Sequence, residues 1–308
     1  MRIATLGLLA VLASATTASA ADLDYGYLRG SDDDYAPAPI VDWSGFYVGG
    51  HGGYSTAAMG FSNALTPQYA RYLRARDIEE EFQVSSYLSL PSRRVHGASY
   101  GAFAGYNIQF DDIIIGAEVD YTNFGRTGRS EDGIGRTVTT KGGMYETVRL
   151  YGVSKTELED YGTIRGRIGY ALGSFLPFVT GGVAIGRATI SDQAYIQNFG
   201  YDSVAYAANQ SNPTAKVAVS HHGYANGNTA FDPDAPQDPA RSKPDDYTLL
   251  PSKPKSKTMG GIALGAGMEF ALTSNIVLRG EYQYVLFDDF DGHKVNVNTV
   301  RGGAAIKF

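Results

Sequence analysis

The 308-residue chain contains no cysteine. Disulfides therefore take no part in holding it together, and a zinc–thiolate centre is excluded. Beyond Leu12 there is no apolar run of the ~20 residues that a membrane-crossing helix requires. An excess of positive charge is missing too: the formal net charge is −6, which argues against a nucleic-acid partner. What the chain does have is glycine and tyrosine, 38 and 22 of them. Glycine costs a helix about 1 kcal/mol relative to alanine. Glycine and aromatic residues spread over many short segments point instead to an all-β sheet closed on itself.

The first twenty residues read as a secretory signal: a basic Met1-Arg2, an apolar core over 3–12, and the small-x-small pattern Ala18-Ser19-Ala20. The expected mature start is Ala21. Residues 21–42, with Asp32-Asp33-Asp34 and Pro37-Ala38-Pro39, cannot bury a core and read as a disordered periplasmic leader. Residues 43–308 remain for the folded domain.

From Trp43 onward, period-two alternation recurs in eight segments: 45–55, 95–110, 113–123, 157–170, 176–187, 258–272, 276–287 and 295–308. Each has at least the nine to eleven residues, roughly, that a tilted strand needs to cross hydrocarbon. In the third, Ile113, Ile115, Ala117, Val119 and Tyr121 share a face; in the fourth, Ile164, Gly166, Ile168 and Tyr170 do. In the fifth, Val179, Gly181, Val183 and Ile185 form the apolar face although Phe178 sits on the other side. The opposite faces carry Glu118 and Asp120, Arg165 and Arg167, Glu269, Arg279 and Glu281, and Arg301. On a lipid-facing wall each charge would cost a few kcal/mol at the midplane, so all eight must point inward. Four acids balance four bases, and enclosed charges are tolerable only if paired and hydrogen-bonded.

Tight turns are expected at Phe110-Asp111-Asp112, Leu172-Gly173-Ser174 and Thr273-Ser274-Asn275. The alternate connections, 56–94, 124–156 and 188–257, are long, and 288–294 is short. Short turns on one side and long loops on the other are the outer-membrane pattern. An even strand count puts both chain ends on the periplasmic side and the long loops outside. The first and eighth strands must pair, because an open edge cannot stand in hydrocarbon. The expected fold is a closed antiparallel eight-stranded up-and-down transmembrane β-barrel.

The run Trp43-Ser44-Gly45-Phe46-Tyr47-Val48-Gly49-Gly50 resembles the opening of alphaproteobacterial outer-membrane surface-antigen barrels, porin-family proteins with an OmpA-type eight-stranded membrane domain. Gly116-Ala117-Glu118-Val119-Asp120-Tyr121, Gly166-Arg167-Ile168-Gly169-Tyr170-Ala171 and Leu176-Pro177-Phe178-Val179-Thr180-Gly181-Gly182 are similar as well. The resemblance covers the strands and not the loops. It implies residence in the cell outer membrane among lipid and lipopolysaccharide, a part in stabilising the envelope and displaying external loops, and no enzymatic activity. The terminal Phe308 resembles the signal read by the barrel-assembly machinery. Two other roles follow as alternatives: a narrow porin-like channel, and binding of haemin or a host surface through the loops.

Nothing in the chain assembles a catalytic motif. The glycine-rich stretches 49–53 and 260–267 lack the helix that a phosphate loop needs, and read as room for a tightly curved wall. An eight-stranded barrel is just wide enough to be filled by its own side chains, so the interior charges read as a polar plug rather than an ion path. His293 lies near Asp289 and Asp291, a common cluster in polar loops. His221 and His222, with Tyr201, Tyr206 and Tyr224 nearby, are the candidates for haem, though no spacing fixes an axial ligand. Asp232, Asp234 and Asp238 lack the glycine and glutamate of a calcium loop, and no metal or cofactor is expected. Lys253, Lys255 and Lys257 alternate where the third long connection enters the sixth strand, placed to meet lipid-A phosphates.

Overall fold

The computed structural model describes residues 41–212, 214, 217–225 and 243–308. The expected signal at 1–20, nearly all of the leader, and Asp232, Asp234 and Asp238 lie outside the described residues. The strands are β1 Gly45–Phe61, β2 Leu90–Phe110, β3 Ile113–Thr139, β4 Met144–Tyr170, β5 Phe175–Asp202, β6 His221–His222, β7 Thr248–Leu249, β8 Lys255–Ala271, β9 Ile276–Phe287 and β10 Lys294–Lys307. Eight of them make an antiparallel ring in the order β1, β2, β3, β4, β5, β8, β9, β10 and back to β1. The first and last strands pair from Tyr47 with Lys307 to Gly60 with Lys294. The two-residue strands β6 and β7 add short rungs to the far end of β5.

Alternation decides which way each side chain points. Val48, Ile108, Ile115, Val119, Ile164, Ile168, Leu264, Leu278 and Val300 are exposed on the outer wall. In β5 the outward residues are Val179, Val183 and Ile185, while Phe178 is buried. Aromatics edge this apolar belt: Tyr54, Tyr100 and Tyr121 toward one rim, and Phe46, Phe110, Tyr170 and Phe175 toward the other. From Tyr100 to Phe110 is about ten residues. At a rise of roughly 3.3 Å each and a tilt near 40°, that spans about 25 Å, the height of an outer-membrane barrel's apolar band. Among the described residues no helix is long and apolar enough to cross a membrane.

Among the described residues, the connections expected at 56–94, 124–156 and 188–257 are largely strand and helix. β3 runs on to Thr139 and β4 begins at Met144, so their 33-residue loop shrinks to a turn at 140–143. β5 continues to Asp202, β1 to Phe61, and β2 begins at Leu90. The reason lies in the ladder. Register shifts fall between Asn123 and Arg126 on β3 and between Leu158 and Asp160 on β4. On β4 the inward side chains change there from odd to even numbers, Thr163 and Tyr161 giving way to Leu158, Thr156 and Ser154. Its period-two pattern therefore breaks at the rim and imitates a strand end, while β3 keeps its even-numbered residues inward. Just beyond, the inward positions include Ser130, Ser154 and Thr156, buried but polar, which hides the pattern further.

The first connection folds over the loop end as α1 Thr66–Leu73, α2 Asp77–Phe82 and a 3₁₀ turn Val84–Ser86. Leu65, Tyr69 and Leu73 recur every four residues and so bury one face of α1. They join Met59, Phe61, Ile78, Leu150, Leu158, Ile190 and Phe287 in one apolar core that fills the extended half of the ring. A smaller cluster of Trp43, Ile114, Leu176, Ala271 and Val277 closes the short-turn end, where the Trp43 indole N–H donates to Gly173 O (3.3 Å).

Leu158 is wholly buried in the upper core. Leu158→Ala is expected to lower stability by about 2–5 kcal/mol, the range for deleting a buried leucine. Urea titration of the refolded protein in detergent measures it, and an unchanged midpoint would contradict the core assignment.

Candidate functional site

Between the two apolar clusters the ring encloses a band of charge. The interior rows of β3, β4, β8, β9 and β10 bring together all eight residues: Glu118, Asp120, Arg165, Arg167, Glu269, Arg279, Glu281 and Arg301, each buried. Cross-strand register sets Glu118 opposite Arg165, Glu269 opposite Arg279 and Glu281 opposite Arg301.

Glu118 is the hub. Its Oε1 accepts from Arg165 Nη2 at 2.5 Å and Arg279 Nη2 at 3.0 Å; its Oε2 accepts from Arg279 Nη1 at 2.5 Å and the Tyr47 hydroxyl at 2.9 Å. Arg165 reaches on to Glu281 Oε1 (2.5 Å) and Thr180 Oγ1 (3.1 Å). Arg167 forks onto Glu269 at 3.1 and 2.8 Å and donates to the Tyr47 hydroxyl at 3.0 Å. Arg301 bridges Glu281 Oε2 (2.9 Å) and Asp120 Oδ2 (2.6 Å), and His51 Nε2 lies 3.0 Å from the same Asp120 oxygen. Such charge-assisted, forked bonds are the strong ones, and arginine suits them because its planar donors match a carboxylate. Arg301 also donates through its Nε, to Glu281 Oε2 at 3.1 Å, whereas the Nε atoms of Arg165, Arg167 and Arg279 stay unpartnered.

Sequence reasoning missed the aromatic part of this band. Phe178 lies between two guanidinium groups, 4.5 Å from Arg167 and 4.6 Å from Arg279, and Phe103 lies 4.7 Å from Arg279. A desolvated cation over a ring face is stabilised by about 2 kcal/mol. The signal was present: Tyr47, His51, Phe103 and Phe178 all fall on the inward parity of their strands. Glycine supplies the space. A Cβ on Gly265 would sit 2.6 Å from Thr180 Oγ1 and 2.8 Å from Glu281 Oε1.

The other candidate residues lie apart from this band. His293 is buried at the loop end, with Nδ1 2.7 Å from Thr156 Oγ1 and Nε2 3.3 Å from Asp192 Oδ2. It meets neither Asp289 nor Asp291: Asp289 accepts from the Gly292 N–H, and Asp291 pairs with Lys257 at 2.9 Å. His221 and His222 form β6 at the tip of β5, where His222 Nε2 lies 3.3 Å from Glu146 Oε1. Burial pushes the Glu146 carboxyl up, but the neighbouring His222 ring and the hydrogen bond from Asn198 outweigh it and hold the group below the usual range. Lys253 and Lys255 line an open cleft, while Lys257 is held by Asp291. Phe308 lies on the outer wall with its ring 6.1 Å from Phe46, and its N–H donates to Phe46 O at 2.9 Å. Among the described residues no cluster of three or more His, Cys, Asp or Glu is placed to hold a metal ion.

Arg165→Leu leaves two buried carboxylates, Glu118 and Glu281, short of a partner. Breaking one side of such a pair is expected to destabilise the ring by about 3–5 kcal/mol. The band that shifts on heating in a denaturing gel should then shift at a lower temperature. An unchanged transition would count against the pairing.

A model of the outer membrane protein β-barrel domain family matches residues 6–308. The 31 kDa outer-membrane immunogenic protein of Brucella melitensis is 27% identical over 305 residues, covering 96% of this chain and 95% of that protein. The 22 kDa outer membrane protein of Rhizobium leguminosarum is 24% identical over 278 residues, covering 88% of this chain and 80% of that protein. Among solved structures, the outer membrane protein OprG from Pseudomonas aeruginosa superposes with a TM-score of 0.35 at 11% identity, over 86% of this chain and 96% of that one. The chain therefore belongs to the outer membrane protein β-barrel domain family, and its place is the cell outer membrane.

Proposed function

We propose that the ring is a closed transmembrane barrel, with its short turns in the periplasm and its extended strands outside, and that it serves as a structural and display element of the envelope. The filled interior carries this reading. Glu118 and Arg165 are each about 1% exposed, and the ionic band is capped by the Trp43 cluster at one end and the α1 core at the other. Conduction needs a continuous polar path that ions enter and leave. Packed guanidinium–carboxylate pairs between two apolar seals oppose one.

The belt of Ile, Leu and Val supports a seat in lipid, because apolar surface of this extent would not be left in water. The Brucella relative is named an immunogenic protein, in keeping with a chain whose outer parts are displayed. Phe308 is 71% exposed at the end of the seam strand, which suits recognition of that strand by the assembly machinery. Both ring nitrogens of His293 are engaged and the residue is fully enclosed, which supports a non-enzymatic role.

The refolded protein in planar bilayers is expected to give no single-channel steps at either polarity. Sustained, voltage-independent steps would overturn the structural reading in favour of the narrow pore.

A further inference from the structure

At the loop end a cleft of about 570 Å³ opens between α1 and the segment that leads into β8. That volume falls in the range of small-molecule sites, roughly 300–1,000 Å³. Arg71 enters from α1, and Lys253 and Lys255 from the facing segment. Among the described residues none of these three cations forms a salt bridge. The wall also holds two carboxylates. Asp291 pairs with Lys257, and Asp192 accepts from Ser154 Oγ at 2.5 Å while facing His293. Lys255 also acts electrostatically on Asp291, yet with three cations against two carboxylates, one of them paired with Lys257, the cleft is net positive.

A second observation narrows the ligand. Gln68, on the α1 wall, has a buried amide oxygen with no hydrogen-bond partner. A buried acceptor without a donor is costly, on the order of 1–3 kcal/mol. Gln68 itself is half-buried, so its side chain can turn into the cleft and meet a ligand that brings a hydroxyl. The apolar part of the lining is Pro67, Pro251, Ala64 and Ile190, with no aromatic ring on which a nucleobase would stack. A sugar ring presents what remains: flat C–H faces for the prolines, hydroxyls for Gln68, and ester anions for the three cations.

We propose that this cleft binds a saccharide carrying phosphate or sulfate groups, with Arg71, Lys253 and Lys255 taking the anions and Gln68 accepting a hydroxyl. Arginine provides a forked contact and the lysines provide point charges. The proposal stands independently of whether the ring conducts. It also needs no particular membrane orientation, since the cleft belongs to the folded chain itself.

Calorimetric titration of the detergent-solubilised full chain tests it, with glucose 1,6-bisphosphate, a heparin disaccharide and unmodified sucrose as probes. At least one charged sugar should bind, more weakly as salt rises, and sucrose should not. Whichever charged sugar binds better identifies phosphate or sulfate as the preferred anion. Arg71→Ser with Lys253→Ser and Lys255→Ser should weaken binding at least tenfold. Should that triple variant fail to refold, Lys253→Ser alone should weaken it about threefold. Gln68→Leu should weaken the sugar and leave pyrophosphate binding unchanged. Failure of both charged sugars to bind, equal binding by the cation variants, or equal binding of sucrose would overturn the site. An equal loss of sugar and pyrophosphate in Gln68→Leu would overturn the hydroxyl contact.

Discussion

Moving a charge from water into a protein interior costs several kcal/mol even after the surroundings relax. This ring encloses eight ionised side chains and balances them four against four. Their mutual attraction offsets the desolvation cost only when the geometry is good, and every strand that contributes a charge must then be in register with its neighbours. A one-residue slip of β3 would turn Glu118 outward and leave Arg165, Arg167 and Arg279 without their shared partner. The network therefore works as a register lock that spans sequence separations as large as 250 residues, between His51 and Arg301. Stability is the weaker part of the argument, since apolar replacements of buried ion pairs are often no less stable. The specification of one sheet register among many is the stronger part.

The rest of the molecule follows from keeping that band dry. Trp43 and its neighbours close the turn end, while α1 and the long extensions of β3, β4 and β5 cover the other. Low dielectric between the seals strengthens each ion pair and makes each unpaired atom more costly. The charges are inside, so the outer wall is free to be apolar throughout, and its height matches a bilayer's hydrocarbon band. The extended strands and helical cap leave the belt behind and create the surfaces on which recognition is possible, including the cationic cleft beside α1.

Much of this was legible in the residues. The two faces of each strand were separable by parity, and the conflict raised by Phe178 dissolves once its ring is seen wedged between Arg167 and Arg279. The strand extensions were not legible, for a local reason. The irregularities after Asn123 and Leu158 shift the ladder at the rim, and the pattern resumes with small polar inward residues. Leu65, Tyr69 and Leu73 did carry a helical spacing inside what read as loop, but eight residues of helix are weak evidence against a background of strands. The meeting of Arg71 with Lys253 and Lys255, nearly two hundred residues apart, is a tertiary fact that no local pattern encodes.

Spin labels on β4 in lipid vesicles test the central claim most directly, at Ile164 (59% exposed, on the outer wall) and at its neighbour Thr163 (2% exposed, facing the charge band). The account predicts frequent collision with oxygen and little with a water-soluble nickel chelate at Ile164→Cys, and little collision with either at Thr163→Cys. Frequent nickel collisions at Thr163→Cys would mean a wet interior, and a reversal of the two oxygen signals would mean that the ring is inside out.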